Sequence, residues 1–231
     1  MLFRKAILII HGFGGGVYDE EYLANRLELI KNYDVYTFTL PGHDGIKTDM
    51  KEEKWITASE KMIKYLIKNK YRTIYVIGHS MGGVLATRLA SKYKEVKKLV
   101  LLAAAFRYLE FKENEVDVVK SLTKVPTLAK EYKDEFISRL QKMPLPSIKE
   151  FMNTIRHNED TLKKINIKTL IIQGTSDNLV PKETVDFIYD MIPTKEKEVI
   201  MCEGVNHDIF KSNKKEQITN EIIEFLKKWP L

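Results

Sequence analysis

Thr73-Ile74-Tyr75-Val76-Ile77-Gly78-His79-Ser80-Met81-Gly82-Gly83 is the stretch from which the fold is read. Its first five residues are mostly apolar and β-branched or aromatic, the composition of a buried strand. Val84 to Tyr93, which follow, have helical periodicity. Between them lies Gly-x-Ser-x-Gly, in the strand–turn–helix setting that exposes a serine as a nucleophile. A turn this sharp demands strained backbone and close approach of strand to helix, and glycine permits both. Alone, the pentapeptide is expected by chance in roughly one chain of this length in ten. Its partners elsewhere in the chain must decide its meaning.

On either side of this unit, short apolar runs alternate with amphipathic stretches. Strands are expected at Ala6–Ile10, Asp34–Thr39, Thr73–Ile77, Lys97–Leu102, Thr169–Gln173 and Glu198–Cys202. Helices are expected at Asp19–Ile30, Glu52–Asn69, Lys182–Met191 and Lys214–Lys228, the last with Ile218, Ile222, Leu226 and Phe225/Trp229 on one face. Mostly continuous apolar runs suit strands covered on both faces, and β–α alternation suits a doubly wound sheet with right-handed crossovers. The expected class is α/β. One connection, residues 103–168, is far longer than a crossover needs. It reads as helical pieces at Val116–Leu122, Thr127–Lys142 and Ser147–Arg156, broken by Pro126, Pro144 and Pro146. Rich in apolar residues, it is expected to form a lid over the C-terminal edge of the sheet, where open α/β sheets bind ligands.

The 231 residues suit one domain with a sizeable insertion, and 44% hydrophobic content suits a large core. The formal charge of +6 is spread over scattered lysines, which reads as solvated surface and not as a nucleic-acid face. No apolar stretch approaches the length of a membrane span, and the short run at Ala6–Ile10 does not read as a secretion signal. The single cysteine, Cys202, has no partner for an internal disulfide, so a cytoplasmic setting is expected. Cys202 ends an expected strand and reads as a buried structural thiol.

A serine hydroxyl needs a base within hydrogen-bond reach. Of the five histidines, His11 and His79 sit in glycine-rich turns, His43 follows the second strand, and His157 falls near a helix end. His207 lies in Glu203-Gly204-Val205-Asn206-His207-Asp208, after the last strand, on a loop that opens at the same sheet edge as Ser80. A carboxylate must hold the base in its tautomer. Asp177, in Gly174-Thr175-Ser176-Asp177, sits on the neighbouring loop with room for one helix and one strand before His207. Asp186 and Asp190 fall within that helix, and Asp208 would have to fold back on its neighbour's ring. A tetrahedral oxyanion needs preorganised donors. His11-Gly12-Phe13-Gly14-Gly15-Gly16 follows the first strand and lacks the spacing of a phosphate loop. The assigned donors are the backbone N–H groups of Phe13 and Met81.

With these residues in place, the sequence resembles the α/β-hydrolases over nearly its whole length. The resemblance rests on His11-Gly12-Phe13-Gly14, Pro41-Gly42-His43, Gly78-His79-Ser80-Met81-Gly82, Gly174…Asp177 and His207, in the order Ser…Asp…His. Within that superfamily it is most similar to small bacterial carboxylesterases and monoacylglycerol-lipase-like enzymes. The resemblance implies an α/β-hydrolase core at 1–102 and 169–231 and a helical cap at 103–168, the last part of which would be a crossover helix. It also implies that the two leading antiparallel strands of the family sheet are missing, leaving about six. The implied activity is hydrolysis of small to medium, fairly hydrophobic esters through an acyl-enzyme on Ser80. A small-molecule substrate is expected, with no cofactor, no metal, no nucleic acid and no stable membrane insertion. A thioesterase, an amidase or a cofactor-free perhydrolase would use the same residues. A catalytically silent binding module on this fold would be expected to lack one of the three, and the sequence has all of them.

Overall fold

The computed structural model of the chain describes residues 4–44, 49–107 and 143–228. Six strands form one sheet: β1 (Lys5–Ile10), β2 (Tyr33–Thr37), β3 (Ile74–His79), β4 (Val96–Leu102), β5 (Lys168–Gly174) and β6 (Lys197–Cys202). All five neighbouring pairs are parallel, in the order β2-β1-β3-β4-β5-β6. The helices are α1 (Glu21–Glu28), α2 (Glu52–Lys68), α3 (Met81–Lys92), α4 (Leu145–Asn158), α5 (Thr184–Met191) and α6 (Lys215–Lys227).

Alternate residues of each strand face opposite sides, and here both sides are covered. Ala6, Leu8, Ile10, Val76, Leu99 and Leu101 enter a core shared with α2, α3, α4 and α5. Ile7, Ile9, Ile77, Val100, Leu102, Leu170 and Ile172 enter a second core shared with α1 and α6. This is why the inner strands read as unbroken apolar runs. The edge strand β6 differs: Val199 and Met201 remain partly open to solvent.

The chain passes from β1 outward to β2, then returns to β3 on the other side of β1. Strand order therefore reverses between β1 and β3, and in open α/β sheets the crevice beyond such a reversal binds ligands. The glycine-rich turn after β1 and the Ser80 turn after β3 both open there.

Two elements differ from the sequence expectation. Helix α3 begins at Met81, not Val84, because Gly83 N–H already bonds the Ser80 carbonyl at 2.9 Å. The stretch before α1 is a separate 3-10 turn, Val17–Asp19, held by Gly16 N–H on Asp19 Oδ2 at 3.0 Å. Of the expected cap, Val116–Leu122 and Thr127–Lys142 lie outside the described residues, as does Trp229. The third piece is α4, which starts just after Pro144 and packs Phe151, Met152 and Ile155 into the α2–α3 core.

At the opposite sheet edge, Lys98 is buried and its Nζ donates to the carbonyls of Phe225 and Leu226 at 2.8 and 2.9 Å. These carbonyls belong to the last turn of α6, which has no intrahelical donor for them. Replacing Lys98 with Met should therefore lower stability by about 1–3 kcal/mol. Urea unfolding should show a lower midpoint with unchanged slope.

Candidate active site

Ser80 follows the last residue of β3 and precedes the first of α3, with φ 54° and ψ −120°. For a residue with a Cβ this is disfavoured backbone, costing about 1–3 kcal/mol. It is held from three directions. Ser80 N–H donates to Leu102 O at 2.9 Å, and Ser80 O accepts from Gly83 N–H at 2.9 Å and Ala105 N–H at 3.1 Å. The turn also needs β1 to lie close by. A Cβ on Gly82 would be driven into the Ile10 carbonyl oxygen, and one on Gly12 would sit 3.0 Å from Ser80 Cβ and 3.6 Å from its Oγ. The glycine-rich turn thus abuts the serine. Phe13 follows Gly12 and Met81 follows Ser80, so their N–H groups flank this contact in sequence. As the first residue of α3, Met81 has an N–H without an i−4 partner inside the helix, at its positive end.

Two histidines brace the turn that carries Phe13. Leu40 N–H donates to His11 Nε2 at 2.9 Å, and Gly14 N–H donates to His43 Nε2 at 3.0 Å. A main-chain N–H can only donate, so both rings accept at Nε2. In the neutral ring the proton then sits on Nδ1, and Nδ1 of each faces a carbonyl, Gly12 O at 2.8 Å and Pro41 O at 3.3 Å. Burial holds the pKa of His43 below its usual value, against the pull of neighbouring carbonyls and Asp44. The Phe13 ring is stacked on Phe151 of α4, centroids 5.0 Å apart and planes 2° apart, with Trp55 of α2 edge-on at 5.7 Å.

The loops after β5 and β6 carry Asp177 and His207. They are tied to each other by Ser176 N–H on Val205 O at 3.0 Å and Gly204 N–H on Thr175 Oγ1 at 2.9 Å. His207 Nδ1 lies 2.8 Å from Asp177 Oδ2, with both side chains almost wholly buried. Asp177 Oδ1 accepts from the Leu179 and Val180 N–H groups at 2.9 and 3.0 Å, and Oδ2 also accepts from Gln173 Nε2 at 3.0 Å. Burial opposes the charge on Asp177. His207 and the two main-chain donors outweigh it and hold the carboxyl below its ordinary range. The His207 carbonyl accepts from His79, the residue before Ser80, at 3.0 Å, and the two imidazole centroids are 4.9 Å apart. The turns and loops that carry Phe13, Ser80, Met81, Asp177 and His207 therefore adjoin at the C-terminal edge of the sheet.

Two other sequence candidates make ion pairs of their own. Asp208 forms an ion pair with Lys211 at 3.4 Å, and His157 pairs with Glu52 at 2.9 Å on an exposed helix end. Cys202 is buried at the end of β6, and burial raises its thiol pKa. Sequence reasoning missed Gln173. Its signal was one polar residue closing an apolar strand. Among the described residues no group of three or more His, Cys, Asp or Glu could hold a metal, and no helix is long and apolar enough to cross a membrane.

Residues 3–214 match the family model described as serine aminopeptidase, S33. The chain belongs to this family. It is an esterase/lipase-type α/β-hydrolase. It is 24% identical to a carboxylesterase of Bacillus subtilis (strain 168), the match covering 97% of this chain and 93% of that protein. Identity to a thermostable monoacylglycerol lipase of Bacillus sp. (strain H-257) is also 24%, over 96% of this chain and 90% of the relative. A solved structure described with two metagenome-derived lipolytic enzymes superposes with a TM-score of 0.80 at 24% identity, covering 98% of this chain and 94% of its own.

Because the folded pKa of His43 lies below 6.5, unfolding takes up a proton just below that pH. The contribution of His43 is therefore present above about pH 6.5 and shrinks as pH falls through it. Thermal melts from pH 7 to 5 should show a loss of stability that is smaller in His43→Gln, which retains an acceptor for Gly14 N–H.

Proposed function

We propose that the chain hydrolyses carboxylic esters of small to medium, fairly hydrophobic substrates through an acyl-enzyme on Ser80. The observation that carries this reading is the buried 2.8 Å contact between Asp177 and His207, on a loop bonded to the residue next to Ser80. Ser80 Oγ attacks the ester carbonyl carbon as His207 Nε2 takes its proton. The carbonyl oxygen becomes an oxyanion held by the N–H groups of Phe13 and Met81. As the tetrahedral species collapses, His207 returns the proton to the leaving alcohol. Water then attacks the acyl-enzyme, giving a proton to His207, and the carboxylic acid leaves as Ser80 is reprotonated. Asp177 holds Nδ1–H and stabilises the imidazolium that forms in each half-reaction.

An apolar, aromatic surround supports a hydrophobic substrate: Phe13, Trp55 and Phe151 pack together beside the serine turn. The relatives named carboxylesterase and monoacylglycerol lipase favour an ester, including acylglycerol-type esters. The aminopeptidase description of the family favours a second reading, amide hydrolysis on the same residues. We further read the protein as cytoplasmic, on its single buried cysteine.

A fluorophosphonate probe should label Ser80, and p-nitrophenyl esters of increasing chain length should be cleaved with an optimum that measures the pocket. Turnover of aminoacyl p-nitroanilides exceeding that of the esters would favour the amide reading. Ser80→Ala should abolish ester turnover while leaving the thermal melt in place. Asp177→Asn should lower kcat by about 10⁴-fold, as expected when the base loses its tautomer. Undiminished turnover in either variant would refute the assignment.

A further inference from the structure

Behind the serine turn lies a second buried carboxylate–histidine contact, unused by the proposed reaction. His79 Nδ1 is 2.8 Å from Glu20 Oε1, with side-chain exposures of 5% and 1%. His79 Nε2 is 3.0 Å from the His207 carbonyl oxygen. That oxygen can only accept, so Nε2 carries a proton. Glu20 immediately precedes α1 and follows the Val17–Asp19 turn, which is tied through Asp19 to Gly16 of the glycine-rich turn. One side-chain pair therefore touches three of the segments that build the site. Among the described residues nothing donates to Glu20 Oε2, which is buried. A buried carboxylate with one oxygen left unpaired is costly, and an apolar pair of similar volume would stabilise the fold at least as well. Packing alone gives no reason for these residue types.

We propose that Glu20 and His79 are a positioning pair for His207, holding its main chain against the serine turn. This rests on the reading of Ser80 and His207 as nucleophile and base. His207 is then gripped at two points, Nδ1 by Asp177 and the carbonyl by His79. Rotation of the ring and displacement of the loop are both restrained. Burial works against a charged His79 ring, but the Glu20 hydrogen bond and charge outweigh it and lift its pKa to about 9. Burial also raises the Glu20 carboxyl, with His79 acting in the opposite direction. At neutral pH both ring nitrogens of His79 donate, one to the carboxylate and one to the His207 carbonyl. The His79 and His207 rings lie side by side, centroids 4.9 Å apart. The charged groups around the two rings are Glu20 and Asp19 from the turn before α1, Asp208 from the His207 loop and Asp177 beyond it. Lys211 pairs with Asp208.

Glu20→Gln tests this while preserving shape. The amide introduced at position 20 still donates to Nδ1 of a neutral His79, and Nε2–H stays on the His207 carbonyl. Glu20→Gln should therefore keep kcat for a p-nitrophenyl ester within about threefold of wild type, whereas Glu20→Leu, which leaves His79 Nδ1 without its partner, should lower kcat about tenfold with KM unchanged. His79→Phe removes the donor and should lower kcat about 10²-fold at every pH. Wild-type kcat in Glu20→Leu, or a loss in Glu20→Gln equal to that in Glu20→Leu, overturns the proposal whether or not His79→Phe folds. Fluorophosphonate labelling of the wild-type protein separates the two readings. Labelling at Ser80 with wild-type kcat in Glu20→Leu overturns the pair alone, whereas no labelling at Ser80 overturns the nucleophile and the pair with it.

Discussion

The backbone of Ser80 sits where a side-chain-bearing residue rarely sits, and much of the molecule is arranged to keep it there. A cost of about 1–3 kcal/mol at one residue is a sizeable part of the net stability of a domain. It is offset locally by the hydrogen bonds to Leu102, Gly83 and Ala105 and by the packing of β3 and α3 on both flanks. Those contacts require β4 to be in register beside β3, β1 to pass close under Gly82, and α3 to start at once. The strained turn is thus a consequence of the whole sheet, and it is stable only inside it.

The parallel sheet also decides what meets the serine. Every strand runs the same way, so the loops after β1, β3, β5 and β6 all open on one edge. Each loop then needs its buried polar groups satisfied. Asp177 is the clearest case: one carboxylate accepts from two main-chain N–H groups, Gln173 and His207. A carboxylate so paired stays ionised in a dry site, where an unpaired one would take up a proton. The same logic holds for His11 and His43, whose accepting nitrogens supply partners for the main-chain N–H groups of Leu40, after β2, and Gly14, in the turn that carries Phe13.

Much of this was legible in the sequence, for physical reasons that are easy to state. Inner strands covered on both faces carry continuous apolar runs, and each of the six strands lies within two residues of its expected bounds. The start of α3 was not legible, because Gly82 and Gly83 are poor helix formers and serve close packing there. Glu20 gave no signal, lying in the acidic run Asp19-Glu20-Glu21 that reads as solvated surface, yet it is buried against His79. Such a contact joins residues 59 positions apart, and no local pattern encodes it.

By itself the sequence determined the α/β architecture, the serine turn and the order of the candidate residues Ser80, Asp177 and His207. These follow from local propensity, hydrophobic period and the rule that parallel strands open their loops on one edge. Only the tertiary structure decided what the other histidines do. It pairs His79 with Glu20 and sets His11 and His43 as acceptors for main-chain N–H groups. The reason is geometric. Tautomer, charge state and burial depend on atoms brought within hydrogen-bond reach by the crossing of distant segments, which composition and spacing along the chain do not specify.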